Sequence, residues 1–335
     1  MDKTQWGARL RGSQPIGEIL AESAQQAGAV AEATVTLPDL HVGKGIRYGN
    51  LTWFPVWTDA PVIERNYRTA SKTQLKVSEL QNAQVPLLEV ENSEDLPLVL
   101  FEGTILEGGR QDRALIRSLV VEANAKREIP VACVEQRRWH GTPNQNLGSR
   151  VAPAKVRNSL RGLKVNQGGQ VFHAPVNQSE VWDQIEGYEN RYLAHGGNSS
   201  LANLDEQVKA KAGKNLETPV PLAGQRGFIV GVLGKPLALE LFDHPDTLAE
   251  RFESLLWSYQ LDAADQVYQA TPFLNARDFA ILAQRLPLSV AAQQSAETQL
   301  QATDGKYCAA QALAYRDELI HVAAVNPKHS LALVA

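Results

Sequence analysis

Three runs decide the fold: Leu98-Val99-Leu100-Phe101-Glu102-Gly103, Leu106-Glu107-Gly108-Gly109-Arg110-Gln111-Asp112-Arg113, and Ile129-Pro130-Val131-Ala132-Cys133-Val134-Glu135-Gln136-Arg137-Arg138-Trp139. Apolar segments of strand length alternate with glycines and with charges that a plain core does not need. The pattern predicts antiparallel strands on a rigid sheet, with polar groups gathered at one end. If Ala123-Asn124-Ala125 is a three-residue loop, Glu122 faces Lys126, Leu119 faces Ile129, Leu115 faces Cys133 and Arg113 faces Glu135. Opposite charges at both ends and apolar pairs between them favour this register, which predicts an Arg113–Glu135 ion pair.

Outward from this block, Asn92-Ser93-Glu94-Asp95 reads as the turn joining strand Leu87–Glu91 to Leu98–Gly103, and Ala114–Val121 and Arg127–Glu135 read as two further strands. Upstream, Leu40–Trp57 is strand-like, with Leu51, Trp53, Pro55 and Trp57 on one face, and Trp53-Phe54-Pro55-Val56-Trp57 reads as core. Ser13–Ala31 carries a helical stripe of Ile16, Ile19, Leu20 and Ala24. Downstream, His140–Gly169 is rich in Gly, Asn, Pro and Arg and reads mostly as loop with a short irregular element. Asn177 opens a helix with Glu180 three residues on. His195–Pro219 is polar and is expected as an exposed insertion, within which Leu201–Ala212 could form a surface helix.

The last third predicts a hairpin of Phe228–Val232 and Leu237–Phe242 around Gly234-Lys235. Asp243-His244-Pro245-Asp246 then starts a helix with an inner stripe of Leu248, Phe252, Leu255, Leu256, Tyr259 and Ala263. A shorter helix follows from Asn275. A β-meander closes the chain: Thr298–Thr303, Tyr307–Tyr315 and Leu319–Val325, with turns at Asp304-Gly305 and Arg316-Asp317. The expected class is α+β, an antiparallel β-sandwich or barrel-like N-terminal lobe packed with an α+β C-terminal lobe. The expected division is a helical segment 1–33, a β-rich lobe 34–175, and an α+β lobe 176–335 with the polar segment 195–219.

Composition narrows the function classes. Of 335 residues 44% are hydrophobic and 21% charged, enough for a sizeable core. A net charge of -4 gives no basic face for nucleic acid or an anionic membrane. No apolar stretch reaches the ~18 residues of a membrane helix, and Met1–Arg11 has no signal-peptide core, so a cytoplasmic protein is expected. Cys133 and Cys308 sit in apolar runs and make no disulfide framework. The histidines show no HxH, HxxxH or HExxH spacing, so no metal set is expected from them. Gly224-Gln225-Arg226-Gly227 lacks the strand-before, helix-after context of a dinucleotide turn.

The chemistry-bearing residues cluster in the central block. Gly108 and Gly109 free the backbone to expose successive N–H groups as an anion-binding nest. Arg110 and Arg113 flank it with guanidinium groups suited to phosphate or carboxylate. Glu107, Asp112 and Glu135 are the candidate acid/base residues. Gln111, Arg138 and Trp139 complete the expected ligand-binding set. No resident cofactor is expected, although Glu102, Glu107 and Asp112 could hold a divalent cation. The bland alternative is a tight turn braced by a structural Arg–Glu pair. Cys133 between Ala132 and Val134 reads as an inert small hydrophobe.

With these residues in view, the chain resembles a bacterial family named for its association with ADP-ribosylglycohydrolases (ARG) and rhodanese-phosphatases. The resemblance is carried by Glu91-Asn92 with Pro97, and by Gly103, Leu106, Gly108, Gln111 and Arg113. It continues through Ile129-Pro130-Val131, Cys133-Val134-Glu135-Gln136 and Arg138-Trp139, then Gln178, Ser179, Val181 and Trp182. Phe242-Asp243, Pro245, Ser258-Tyr259 and Asp262-Ala263 extend it toward the C-terminus. It runs from about Thr34 onward. Arg137 stands where the family pattern has Gly, and Glu107-Gly108-Gly109-Arg110 fits only loosely.

The resemblance implies a setting in ADP-ribose or phosphoester metabolism, alongside ADP-ribosylglycohydrolase or phosphatase proteins, and carries no catalytic set. The leading expectation is therefore a site for an ADP-ribose-like or other phosphorylated nucleoside, with or without hydrolysis. Glycosidic cleavage would need two carboxylates flanking the bond. The alternative is a non-catalytic interaction or regulatory module using an aromatic patch at Trp53, Trp57 and Trp182. A third reading is a carboxylate-metal hydrolase.

Overall fold

The computed structural model describes residues 34–69, 75–82, 84–135, 138, 140–192, 200–212 and 216–332. The expected helix Ser13–Ala31 and the side chains of Gln136, Arg137 and Trp139 lie outside the described residues. The described elements start with β1 (Leu40–Val42), β2 (Ile46–Tyr48) and β3 (Leu51–Thr58). Next come β4 (Arg68–Thr69), β5 (Leu75–Ser78), β6 (Leu87–Asn92) and β7 (Leu98–Leu100). The central block folds as β8 (Thr104–Gly108), β9 (Arg113–Leu115), β10 (Leu119–Val121) and β11 (Ala125–Cys133).

After it lie β12 (Asn144–Val151), helix α1 (Ala154–Leu160), β13 (Leu163–Val165) and β14 (Val171–His173). Helices α2 (Gln178–Tyr192) and α3 (Leu201–Ala212) follow. The C-terminal part holds β15 (Gly227–Val232), β16 (Lys235–Phe242), α4 (Pro245–Ala263) and α5 (Phe273–Arg285). It ends in β17 (Ser289–Gln294), β18 (Glu297–Thr303), β19 (Ala309–Tyr315) and β20 (Glu318–Val325).

Two β-structures organise these elements. A closed antiparallel barrel runs β11-β6-β5-β12-β8-β9, and a large antiparallel sheet runs β1-β3-β15-β16-β20-β19-β18-β17, with β2 on β3. The expected α+β class with a barrel-like lobe is what the chain forms. The large sheet joins β1–β3 to the C-terminal strands by pairing β3 with β15, Trp53 opposite Val230 and Phe54 opposite Ile229. Successive residues of a strand point to opposite faces. Trp53, Phe228 and Val230 therefore pack with Phe252, Leu255 and Tyr259 of α4. Phe54, Ile229 and Leu239 pack on the other face with Ala276, Phe279 and Ala283 of α5. Both faces are covered, which is why β15 is buried along its whole length. Each large apolar side chain fully buried this way contributes about 1.5–3 kcal/mol.

The barrel obeys the period-two rule more openly. In β6 the buried positions alternate, Leu88, Val90 and Asn92 pointing inward. Leu88 and Val90 meet Val77, Leu106, Leu115, Ile129 and Val131 in the barrel core. Asn92 closes one end as a polar plug. Its amide donates to the carbonyls of Leu96, Val121 and Glu122 at 2.9, 3.2 and 3.0 Å, and its oxygen accepts from Glu94 N.

The central block departs from the expected hairpin. Ala114–Val121 is not one strand: β9 stays in the barrel while β10 leaves it to pair with β7, Leu119 opposite Leu100. Strand β11 is shared, Lys126 opposite Glu91 on β6 and Leu115 opposite Val131 on β9. Arg113 consequently stands opposite Cys133, two residues from the expected register. A two-residue shift keeps each side chain on its face and changes its partner. Arg113 lies 3.7 Å from Glu79, both buried, and the hairpin-wide Arg113–Glu135 pairing is corrected on that register. The strand expected over Leu98–Gly103 ends at Leu100. Gly103 turns with φ +74, where an added Cβ would meet Arg157 Cδ at 2.4 Å.

Candidate functional site

The diglycine corner is reached along β8. Gly108 and Gly109 have φ of +95 and +55, the positive-φ backbone that the glycines allow. Their N–H groups are engaged within the chain and reach different acceptors: Gly108 N donates to Asp112 Oδ1 at 2.8 Å and Gly109 N to Asn144 O at 3.0 Å. The carboxylate at this corner is the chain's own Asp112, and one of the two amides meets it. Ser200, at the start of α3, donates to Asp112 Oδ2 at 2.7 Å. Arg138 spans the same corner, donating to Glu135 Oε1 and Oε2 at 2.7 and 2.5 Å and to the carbonyls of Gly109 and Gly108 at 2.8 and 3.1 Å.

The remaining residues of the expected set are woven into the same brace. Asp112 N donates to Glu135 Oε2 at 2.9 Å, Gln111 Nε2 to Glu135 O at 3.1 Å, and Arg113 Nη1 to Gln111 Oε1 at 2.9 Å. Arg110 is partly buried. Glu107 sits on Arg150 at 2.6 Å, and Arg150 also holds Asp205 and Glu206 of α3 at 3.1 and 2.6 Å. Cys133 donates to Glu135 O and to Gln111 Oε1, and burial pushes its thiol pKa upward. The corner thus couples barrel strands to α3.

The carboxylate trio weighed for a divalent cation is not assembled. Glu102 belongs to Arg157 and Arg161, Glu107 to Arg150, and Asp112 to Arg138. Among the described residues no group of three or more His, Cys, Asp or Glu side chains could hold a metal ion. The aromatic patch is likewise not a shared surface. Trp53 is buried in the α4 core, and Trp57 donates to Ala223 O at 3.0 Å on another part of the sheet.

A second constellation joins the barrel to the large sheet and was not foreseen. Helix α1, in the stretch read as loop, carries Arg157 and Arg161 into the interior. Arg157 Nη1 lies 3.1 Å from Glu102 and 2.6 Å from Glu240, and Arg161 Nε lies 3.1 Å from Glu102. Tyr259 donates to Glu240 Oε1 at 2.6 Å, His321 bonds Glu240 Oε2 at 2.9 Å, and Ser118 meets the other His321 nitrogen at 3.0 Å. Burial works against the Glu240 carboxylate, yet Arg157 and His321 outweigh it and hold its pKa below the ordinary range. The order serine–histidine–glutamate resembles a hydrolase relay. Here the serine oxygen is buried and accepts from Glu102 N at 3.0 Å, and the adjoining void is about 10 Å³, so the group works as a clamp.

A cleft of about 880 Å³ lies elsewhere, between the barrel and α4. Strands β7 and β8 and the Leu147–Ser149 stretch form one wall. Glu250, Arg251, Glu253, Ser254 and Trp257 form the other, and Arg65, Arg68, Thr69, Tyr48, Thr218 and Lys209 rim it. It touches none of Gly108–Arg113. At ~3.3 Å per residue, Thr104 in the cleft and Gly108 at the corner are about 13 Å apart along β8.

Three of its four cations are neutralised. Arg65 pairs with Glu250 at 3.0 Å, Arg68 with Glu94 and Asp95 at 2.6 and 2.5 Å, and Lys209 with Asp205 at 3.0 Å. Arg251 is different. It donates to Thr104 Oγ1 at 3.0 Å and lies 5.4 Å over the Phe101 ring, with no carboxylate in ion-pair reach among the described residues. Its Nε has no hydrogen-bond partner there. Burial, and then the neighbouring Arg157 charge, press its pKa down to about 10, so the guanidinium remains charged at neutral pH. Glu240, Glu102 and Glu250 offset part of that burial from beyond ion-pair distance, and a desolvated charge with no directly bonded counter-ion is costly. Sequence reasoning missed it because Arg251 lies on a helix face with charges on both sides, where a solvated residue is expected.

A mixed α+β protein, with a six-stranded antiparallel barrel, a large antiparallel sheet and a cleft between the barrel and α4, is the class that the fold defines. Within that class, the chain belongs to the ARG and Rhodanese-Phosphatase-superfamily-associated Protein domain family, whose pattern it matches over residues 39–325. No curated protein and no solved structure matches the chain. Among the described residues no helix is long and apolar enough to cross a membrane.

Proposed function

We propose that this protein binds a small phosphorylated ligand of the ADP-ribose or nucleoside-phosphate class in the cleft between the barrel and α4, with Arg251 as anion anchor. The observation that carries this reading is a guanidinium lining an 880 Å³ cleft with no carboxylate in ion-pair reach among the described residues, Glu240, Glu102 and Glu250 acting on it only from farther away. Ligand clefts are commonly 300–1,000 Å³ and lie where lobes meet, and Arg is the side chain matched to phosphate oxygens. The family's association with ARG and rhodanese-phosphatase proteins supplies the phosphoester setting.

Binding without hydrolysis is the better-supported form. Glu107, Asp112 and Glu135, the acid/base candidates, are each ion-paired to an arginine, so their oxygens are already engaged within the chain. This favours a regulatory or sensing module acting beside ADP-ribose-processing enzymes. The diglycine corner then serves the cleft indirectly. It fixes Asp112 on Ser200 at one end of α3, whose later Lys209 lines the cleft.

Thermal shift and calorimetry with ADP-ribose, AMP and pyrophosphate test the reading. Ligand at 100 times Kd should add ~2.7 kcal/mol of stability to the wild-type chain, and Arg251→Met should lose the response while keeping a cooperative unfolding transition. A wild-type chain indifferent to all three, or an Arg251→Met chain that responds as wild type, would contradict it.

A further inference from the structure

The cleft has a second end. Successive residues of a helix are ~100° apart about its axis, so Arg251 and Glu253 project to opposite flanks of α4, about 160° from each other. Between them Glu250, Ser254 and Trp257 form the stripe that faces the cleft. Glu253 therefore does not neutralise Arg251. It is exposed, and it has no hydrogen bond or ion pair among the described residues. Across from it stands Tyr48, a buried ring whose hydroxyl hydrogen-bonds the Thr218 side chain. Both residues line the cleft. After burial, the nearby Glu253 carboxylate helps raise the Tyr48 pKa, which places the two groups within electrostatic reach.

We infer that Glu253, with the Tyr48 and Thr218 hydroxyls, is a diol-binding end of the cleft, so that its ligand is a ribose phosphate with free vicinal hydroxyls. This rests on the cleft reading above and sharpens it. An ionised carboxylate is acceptor-only and can take two hydroxyl protons at once, while a tyrosine or threonine hydroxyl donates or accepts as needed. A phosphate alone would satisfy Arg251 and Thr104 and leave this end unused. A ligand with an anion at one end and a pair of hydroxyls at the other satisfies both.

The test is calorimetric titration of the full chain with ribose 5-phosphate, 2-deoxyribose 5-phosphate and inorganic phosphate. The wild-type chain should bind ribose 5-phosphate at least about tenfold more tightly than the deoxy sugar, because a site built to bond a hydroxyl rejects the analogue lacking it. Glu253→Ala, at an exposed helical position, should bring the two sugars to within about twofold of each other. Equal affinity for the two sugars in the wild-type chain, or a tenfold preference that survives in Glu253→Ala, overturns this inference and leaves the Arg251 reading standing. No binding of any of the three to the wild-type chain overturns both.

Discussion

Arg251, Asn92 and Gly103 show three ways a single residue is fixed by its surroundings. Arg251 is held by one hydroxyl and one ring and makes no ion pair among the described residues, Glu240, Glu102 and Glu250 acting on it from farther away. Asn92 is held by four bonds at the end of the barrel. Asn92→Leu keeps the volume and orphans three carbonyls, each with a desolvation cost of ~1–3 kcal/mol if left unmet. The expected loss is about 3 kcal/mol in a urea melt, and a loss below about 1 kcal/mol would show that the plug is dispensable. Gly103→Ala places a methyl against Arg157 at a positive φ, so it should cost at least ~1–2 kcal/mol and shift the denaturation midpoint with an unchanged slope.

At this scale much was legible. Glycines 103, 108 and 109 announce positive φ, and Glu91-Asn92 carries the resemblance that the barrel plug explains. What the sequence hides is occupancy. Nothing in Gly108-Gly109-Arg110-Gln111-Asp112 tells whether the nest awaits a ligand or closes on Asp112.

Among the elements, strand positions were readable and strand partners were not. The apolar runs of Leu98–Trp139 became β7 to β11, yet β10 and β11 choose distant strands over each other because closing the barrel buries more of β11 than a hairpin would. Helix α1 was unreadable for a different reason. Its buried face carries Arg157, Asn158 and Ser159, an inversion of the amphipathic pattern, and only Pro153 ahead of it and the Arg157/Arg161 spacing hint at a helix facing carboxylates. Helix α3 was expected on the surface, and it packs Leu201, Leu204 and Val208 inward.

Its docking yields a prediction. Arg138→Met would remove the guanidinium that bonds both Glu135 and Asp112, a loss of ~3–5 kcal/mol for a broken buried pair. Hydrogen exchange should accelerate at Gly108, Asp112 and Leu201–Leu204 ahead of the α4 core. Uniform exchange across the molecule would refute a local brace.

For the molecule as a whole, buried charge joins its two β-structures. Glu102 from the barrel side, Arg157 and Arg161 from α1, and Glu240 and His321 from the sheet meet in one network. Two further carboxyls set the pH response. Burial pushes Asp262, bonded by Tyr188 and Ala154 N, up to about 6, and Asp243, bonded by Tyr67, up to about 7. A carboxyl whose folded pKa lies above its unfolded 3.8 gives stability that is complete below that value and lost as pH rises through the folded one. Glu240 has the opposite sign, its contribution present above its ordinary range and lost on acidification. The melting temperature should therefore be highest at about pH 4 and fall between about pH 4 and about pH 7. Asp243→Asn, which keeps the acceptor for Tyr67, should flatten the upper part of that fall. A melting temperature that rises steadily to pH 8 would contradict the assignment. Many of the strands and the mixed α+β class were legible from hydropathy period, whereas the pairing of β3 with β15, the clamp and the cleft arise from residues far apart in sequence.

A crystal structure of the chain grown with ADP-ribose tests the central claim most directly. The account predicts ligand density in the cleft between the barrel and α4, with a phosphate oxygen ~3 Å from the Arg251 guanidinium and Asp112 still seated on Gly108 N. Density at the diglycine corner with Asp112 displaced, or a vacant cleft at ligand concentrations that saturate the protein in solution, would contradict it.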